Sequence, residues 1–302
     1  MRCVPLDQVD LLRRWGHTAV ATSSSRVLVF GGFGGHRRLD DLLVLDVDDH
    51  LALAIFVVAK TTPWPRARER HAAAAAVTEG MLVCFGRASP NEPLSDIWRW
   101  TDGWTRVETT GEPPRPRWGH TLTPANGSFV LAGGRDRDGV MCDLFVLGPR
   151  NDWARLVGGL SPGFAHAAAP LDGGVLFFGG TRRSALFWDG HQCHDCGDEA
   201  ARFAHALVPW GGDEVLVVGG IPMRIEEDDD HTHLLAVLRL RLDGSHRLVI
   251  RRHDILAARG GGPFPVHAAA VSLRPDLVLV IGGGVPTVPF DRHFGDSFFV
   301  IE

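Results

Sequence analysis

Short, continuously apolar runs recur along the chain, and each closes on glycine. Arg26-Val27-Leu28-Val29-Phe30, Gly174-Val175-Leu176-Phe177-Phe178 and Leu277-Val278-Leu279-Val280-Ile281 are representative. They are rich in β-branched and aromatic types, and turn residues bound them. Runs of this length predict buried strands rather than helices, which need about ten residues or more. The glycines supply positive φ or a close backbone approach where each buried strand ends. No segment sustains a helical apolar period with capping residues. The alanine-rich stretch His71-Ala72-Ala73-Ala74-Ala75-Ala76-Val77 has the composition of a helix, but its place in the repeat described next predicts a strand.

The runs belong to a repeat that covers the chain. A histidine precedes each run and a glycine, usually a pair, follows it: His17 to Gly31-Gly32, His71 to Gly86, His120 to Gly133-Gly134, His166 to Gly179-Gly180, His205 to Gly219-Gly220 and His267 to Gly282-Gly283. The second unit has lost one glycine, which predicts a degenerate turn at Phe85-Gly86-Arg87. Histidine-to-histidine spacings of 54, 49, 46, 39 and 62 residues bracket the ~50 of a kelch unit. Asp41, Asp96 and Asp143 stand ten residues after Gly31, Gly86 and Gly133 and precede a further apolar strand. Trp98, Trp100, Trp104 and Trp153 mark later segments, making about four strands per unit. Units of this size cannot bury their apolar faces alone, whereas a radial arrangement gives them a shared core. The expectation is an all-β, six-bladed kelch-type β-propeller spanning 1–302 as one domain, with part of Met1 to Leu12 closing the last blade.

Arginine stands three residues before the histidine at Arg14, Arg68, Arg117 and Arg202, with Gly163 and Phe264 in the other two units. The favoured reading is that these arginines and histidines bond backbone groups of neighbouring blades near the axis. A ring of cations lining a ligand channel is the alternative.

The formal charge is −5, with one lysine (Lys60) and no tyrosine. A global basic field is therefore excluded, though not a local one. Five cysteines form no dense framework, and the first residues lack the apolar core of a secretory signal. A reducing, cytoplasmic setting is expected, with no membrane span. His191-Gln192-Cys193-His194-Asp195-Cys196 is the one cluster of soft ligands. A single Cys-x-x-Cys pair is short of a four-ligand zinc site, so the cluster reads as a polar loop between blades four and five. Glu226-Glu227-Asp228-Asp229-Asp230, followed by His231-Thr232-His233, reads as a solvated or partner-facing loop without the oxygen spacing of a calcium site. Gly32-Phe33-Gly34 precedes no helix pattern, and no nucleophile elbow, zinc-protease motif or phosphate loop occurs. No catalytic domain and no cofactor are expected in this chain.

Several stretches resemble the propeller of the tRNA wybutosine-synthesizing protein 4 family, also called leucine carboxyl methyltransferase 2. Arg14-Trp15-Gly16-His17 with Gly31-Gly32-Phe33-Gly34 is similar to that family's Arg-Tyr-Gly-His and Gly-Gly-Phe-Gly. Gly86-Arg87-Ala88-Ser89-Pro90 with Pro93-Leu94-Ser95-Asp96 is similar to its Gly-Arg-x-Ser-Pro segment. Gly282-Gly283-Gly284 with Phe290 and Phe294 resembles its end, where Thr287, Val288, Asp291 and Gly295 depart from the family pattern. The resemblance implies the non-catalytic half of a methyltransferase system, in which a separate domain uses S-adenosylmethionine. On that reading the chain binds tRNA or a catalytic protein partner through arginine-bearing loops, with Arg66, Arg68, Arg70, Arg115 and Arg117 as candidates. Exposed arginines at Arg37-Arg38, Arg135/Arg137 and Arg182-Arg183 fall in loops that can share a face. A general kelch scaffold for protein interaction, unrelated to tRNA, is the rival.

Overall fold

The structure is a computed structural model that describes residues 3–5, 10–50, 52–76, 80–156, 161–197, 202–222, 236–254, 266–275, 277–284 and 298–301. Among them lie five four-stranded sheets and one five-stranded sheet. The only helical pieces described are 3-10 turns at Asp10–Leu12 and Gly180–Arg182. Each histidine-anchored unit folds as one antiparallel meander. In the first unit the strands are Thr18–Ala21, Arg26–Phe30, Leu42–Val47 and Leu53–Val57, paired in that order. Two exceptions modify the scheme. The third sheet gains a two-residue parallel strand, Thr110–Gly111, beside Asp152–Leu156. The last sheet is completed from the other end of the chain, where Cys3–Pro5 pairs antiparallel with Phe298–Ile301 in the register Cys3↔Ile301. The expected closing strand is therefore present, and it locks the ring by joining the two ends of the chain.

The strand that follows each innermost strand is buried on both faces, because sheets on either side cover it. Val27 to Phe30, Gly80 to Cys84 and Leu277 to Ile281 are all buried, which explains continuous apolar runs where a half-exposed strand would alternate. Outer strands carry the alternation instead, as in the half-exposed Leu53–Val57. Every hydrophobic cluster is shared by two neighbouring sheets. Val29, Leu43 and Leu45 of the first pack with Leu279 and Ile281 of the last; Leu82 and Ile97 of the second pack with Leu131 and Phe145 of the third. The innermost strands neighbour one another in chain order, and the last returns to the first. The architecture is an all-β propeller of the kelch type. Ala72–Ala76 is a strand, as its place in the repeat predicts.

Two details of the repeat differ from the sequence reading. At the degenerate second turn Phe85 takes the place of the first glycine and keeps its left-handed backbone, with φ 58°. Its ring is buried beside Trp153 and His120, so the turn keeps its geometry without the glycine. In the last unit the anchor is displaced by one residue. A Cβ on Gly283 would meet Ala268 Cβ at 3.0 Å, whereas one on Gly32 would meet His17 Cβ at 2.7 Å. Ala268 therefore occupies the position of His17, and His267 occupies that of Gly16.

Candidate functional site

In the first three units the arginine three residues before the anchor and the aspartate after the glycines form a single clasp. Arg14 donates two hydrogen bonds of 2.8 Å to the Asp41 carboxylate and one of 3.0 Å to the Gly31 carbonyl. Arg68 does the same to Asp96, at 2.7 and 2.8 Å, and to the Phe85 carbonyl. Arg117 repeats it with Asp143 and Gly133. These guanidiniums are 0–2% exposed. Burial opposes the charge on Asp96, but the bond and charge of Arg68, with Trp98 Nε1, outweigh it and hold the carboxyl below its ordinary value. The backbone of the same arginines ties neighbouring sheets together: Gly32 N–H donates to the Arg68 carbonyl at 2.8 Å, and Gly86 N–H to that of Arg117 at 2.9 Å.

The anchoring histidines reach into the preceding sheet. His71 Nε2 pairs with Thr18 Oγ1 at 2.8 Å, and His166 Nε2 with Thr121 Oγ1 at 2.9 Å. His120 Nε2 lies 3.2 Å from Cys84 Sγ. His17 and His205 face Ala269 and Ala167 at the position of these threonines, and neither nitrogen of either ring has a hydrogen-bond partner. The Ile281 backbone lies near enough to His17 to favour its protonated form, yet outside hydrogen-bond geometry. Burial, followed by the Arg14 charge, lowers His17 to about 3. Burial likewise lowers His205 to about 3, with Arg202 adding to it, and His166 to about 4. These rings are neutral structural groups.

The registers Thr18↔Phe30, Phe30↔Leu42 and Leu43↔Val57 bring the start of the innermost strand, the second-to-third connection and the exit of the outer strand to one rim. That rim carries Arg37, Arg38, Arg66, Arg70, Arg87, Arg115, Arg135, Arg137, Arg182 and Arg183. The opposite rim carries Asp48, Asp49, Asp102, Asp172, Asp189, Asp213 and Asp243, with Arg150, Arg247 and Arg274, the last bonded to Asp49. The arginine rim also carries carboxylates, with Glu69, Glu92, Asp136 and Asp138 paired to arginines there, so the arginines gather on one rim without being its only charges.

At the centre of the arginine rim, backbone hydrogen bonds close a circle about the axis. Gly16 N–H donates to His267 O, Arg70 to Gly16, Gly119 to Arg70, Ala165 to Gly119, Ala204 to Ala165 and His267 to Ala204, at 2.7–3.3 Å. Every donor in the circle has φ between 51° and 64°. Beside it opens an axial cavity of about 130 Å³, lined among others by Arg70, Phe164 and His267. Side chains form a collar at its mouth: Arg70 lies over both Trp15 and Phe164, Arg135 over Phe164 and Trp118, and Arg87 over Trp118. Phe203 and His267 complete the circuit back to Trp15. Burial and the Arg87 charge, with Arg135 adding and Glu69 opposing, pull Arg70 down to about 10, so it stays cationic at neutral pH.

The five candidate arginines therefore separate. Arg68 and Arg117 are buried in clasps, which corrects their assignment to a binding loop: a guanidinium closed on a carboxylate inside the ring cannot reach a phosphate. Arg66 and Arg115 are exposed on the rim, in ion pairs with Glu92 and with Asp136 and Asp138. Arg70 stands at the axial mouth. The collar aromatics Trp15, Trp118, Phe164 and Phe203 were not picked out from the sequence. Their signal is a shared place, one residue before the left-handed residue of each unit. The His191–Cys196 cluster is no loop, because Cys193–Gly197 is the outer strand of the fourth sheet. Cys193 packs toward the third sheet and Cys196 toward the fifth, so the two sulfurs lie on opposite faces. His194 bonds Asp189 instead, and no cluster able to hold a metal occurs among the described residues. The acidic run at 226–230, with His231 and His233, lies outside the described residues, as do Phe264, Thr287, Val288, Phe290, Asp291, Phe294 and Gly295. Among the described residues a glycine-rich strand–turn–helix able to cradle S-adenosylmethionine has no counterpart, and no helix there is long and apolar enough to cross a membrane.

Comparison with known proteins agrees with the architecture. The plant tRNA wybutosine-synthesizing protein 2/3/4 of Arabidopsis thaliana is 31% identical over 150 residues, 47% of this chain and 15% of that protein. Adagio protein 3 of Arabidopsis thaliana is 30% identical over 250 residues, 73% of this chain and 39% of the relative. The Rab9 effector protein with kelch motifs of Bos taurus is 30% identical over 141 residues, 44% of this chain and 37% of the relative. In each case the match spans well under two thirds of the relative's own length. A model of the KLHDC2/KLHL20/DRC7 Kelch-repeats domain matches residues 3–180, more than half of the chain, and the chain belongs to that kelch-repeat family.

Proposed function

We propose that this chain is a six-bladed kelch propeller that works as the binding half of a wybutosine-type tRNA modification system. The five four-stranded sheets, the one five-stranded sheet and the closed axial circle support the blade number. The gathering of arginines on one rim of an acidic chain is the observation that carries the binding role, because phosphate contacts come from such local basic surfaces. Arg66 and Arg115, at the outer part of that rim, would meet tRNA phosphates or an acidic surface of a catalytic partner. Any S-adenosylmethionine chemistry belongs to that partner, and the cytoplasm is the compartment this reading assumes. Filter binding of phenylalanine tRNA across a salt series tests it. The expected result is an affinity that falls steeply with salt and weakens severalfold in the R66E/R115E double variant. No tRNA affinity, together with no methyltransferase co-purifying, overturns it.

A second reading, a protein-interaction scaffold, is favoured by the breadth of the relatives, one of which is named as an effector of Rab9. Recovery of a stable protein complex unrelated to tRNA modification, through the same rim, would select it.

A further inference from the structure

The collar contains more positive charge than its own carboxylates neutralise. Glu69, fully buried, is bonded by Arg38 at 2.6 Å and Arg87 at 2.9 Å, both through Oε1. Arg70 and Arg135 have no carboxylate partner among the described residues. Arg70 meets His267 Nε2 at 3.3 Å, and Arg135 Nε meets only the Asp136 carbonyl at 3.5 Å. Their guanidiniums lie 5.7 and 5.6 Å from the centre of the same Phe164 ring, and the Arg135 charge is felt at Arg70. In the axial circle the equivalent positions are Gly16, Gly119, Ala165 and Ala204. Arginine and histidine at the remaining two are departures from the repeat, and they touch each other.

From this geometry we infer that the axial mouth is a site for the terminal phosphate of a nucleotide, held between Arg70 and Arg135. The charge count selects the group. Two unpaired guanidiniums match a phosphate monoester, which carries about −1.5 to −2 at neutral pH, better than a singly charged carboxylate or phosphodiester. Arg70 and Phe164 line the axial cavity, while Arg135 reaches the same Phe164 ring from outside that lining. The base would remain outside, against the half-exposed Trp15 and Phe33 rings, whose centroids are 5.3 Å apart, where aromatic stacking tolerates any base. The inference goes beyond the tRNA reading, since a free nucleotide fills the site whether or not the rim meets RNA.

Isothermal titration of the whole chain with guanosine monophosphate, inorganic phosphate and guanosine tests it. The expected result is one-to-one binding of the monophosphate, weaker binding of phosphate and at least tenfold weaker binding of guanosine. R70Q and R135Q should each weaken the monophosphate about tenfold, and R70K less, while R150Q on the opposite rim leaves it unchanged. Thermal midpoints of the variants show that they are folded, and R135Q serves if R70Q is not. Absent binding, an affinity in R70Q and R135Q equal to that of the parent, or capture of an O-phosphoserine peptide without the nucleotide overturns the site. Salt-sensitive tRNA binding that persists without nucleotide binding overturns this site alone; nucleotide binding without tRNA affinity overturns the tRNA reading alone.

Discussion

The buried histidines make the propeller sensitive to mild acid, and the effect can be worked from the structure. Each ring is neutral in the folded chain, with His17 and His205 lowered to about 3 and His166 to about 4. In the unfolded chain the same rings titrate near 6.5. As pH falls below 6.5 the unfolded chain takes up protons that the folded chain refuses, so stability drops until the folded values are reached. Between pH 7.5 and pH 5.0 one such histidine costs about 2 kcal/mol, and the three together about 6 kcal/mol. His71, His120 and His267 are lowered by burial as well and act in the same direction. A domain stabilised by about 5–15 kcal/mol would stand close to unfolding at pH 5. Urea unfolding followed by tryptophan fluorescence at the two pH values gives the difference. His205→Phe removes one titrating ring from a site where neither nitrogen has a partner, so its stability should depend on pH about 2 kcal/mol less steeply than that of the parent. A parent whose stability changes by under about 2 kcal/mol, or a variant with an unchanged pH dependence, refutes the reasoning.

Two further substitutions probe the clasp and the anchor. Asp96→Asn leaves the Arg68 guanidinium buried and half-paired, and should lower stability by about 3 kcal/mol; Asp46→Asn, which breaks the exposed pair with Arg26, should cost under about 1 kcal/mol, and equal thermal midpoints for the two would contradict this. Ala167→Thr places a hydroxyl where Thr18 and Thr121 serve other histidines, and should raise stability by about 1 kcal/mol by giving His205 Nε2 a partner; a drop in the urea midpoint would show that the position is not equivalent.

What could be read from the sequence follows from where each residue's partners lie. The second strand of every unit was legible because both its faces are buried, leaving no polar residue to blur the run. Ala72–Ala76 was legible only through the repeat, since alanine itself favours helix. The misplaced anchor at His267 arose because a histidine stands one residue early in Val266-His267-Ala268, and a letter match cannot see which residue carries the left-handed φ. Arg66 and Arg68 are two residues apart, a spacing that would put both on one side of an extended chain, yet Arg66 is exposed beside Glu92 and Arg68 is buried. Sequence alone does not say which side holds Asp96, 28 positions away. The aspartates were visible and so were the arginines, but their pairing required the sheet that brings them together.

Residues that serve the ring stand apart from those free to serve a ligand. Arginine before the anchor, the anchoring histidine and the glycine pair recur because each sheet must grip its neighbour, and losing one of them loosens a joint. A departure from the repeat has no such justification. Arg70 and His267 sit at φ 51° and 57°, a backbone state that costs a residue with a side chain roughly 1 kcal/mol more than glycine. Gly16 and Gly119 meet the same requirement without that strain, while Ala165 and Ala204 bear it at 57° and 58° with only a methyl group. Two strained residues in contact at the mouth of the axial cavity do nothing for the circle of hydrogen bonds that a glycine would not do as well. What distinguishes the arginine and the histidine from the two alanines is the polar side chain each presents to the axial cavity, which is why they, rather than the repeated residues around them, mark the place proposed for the ligand.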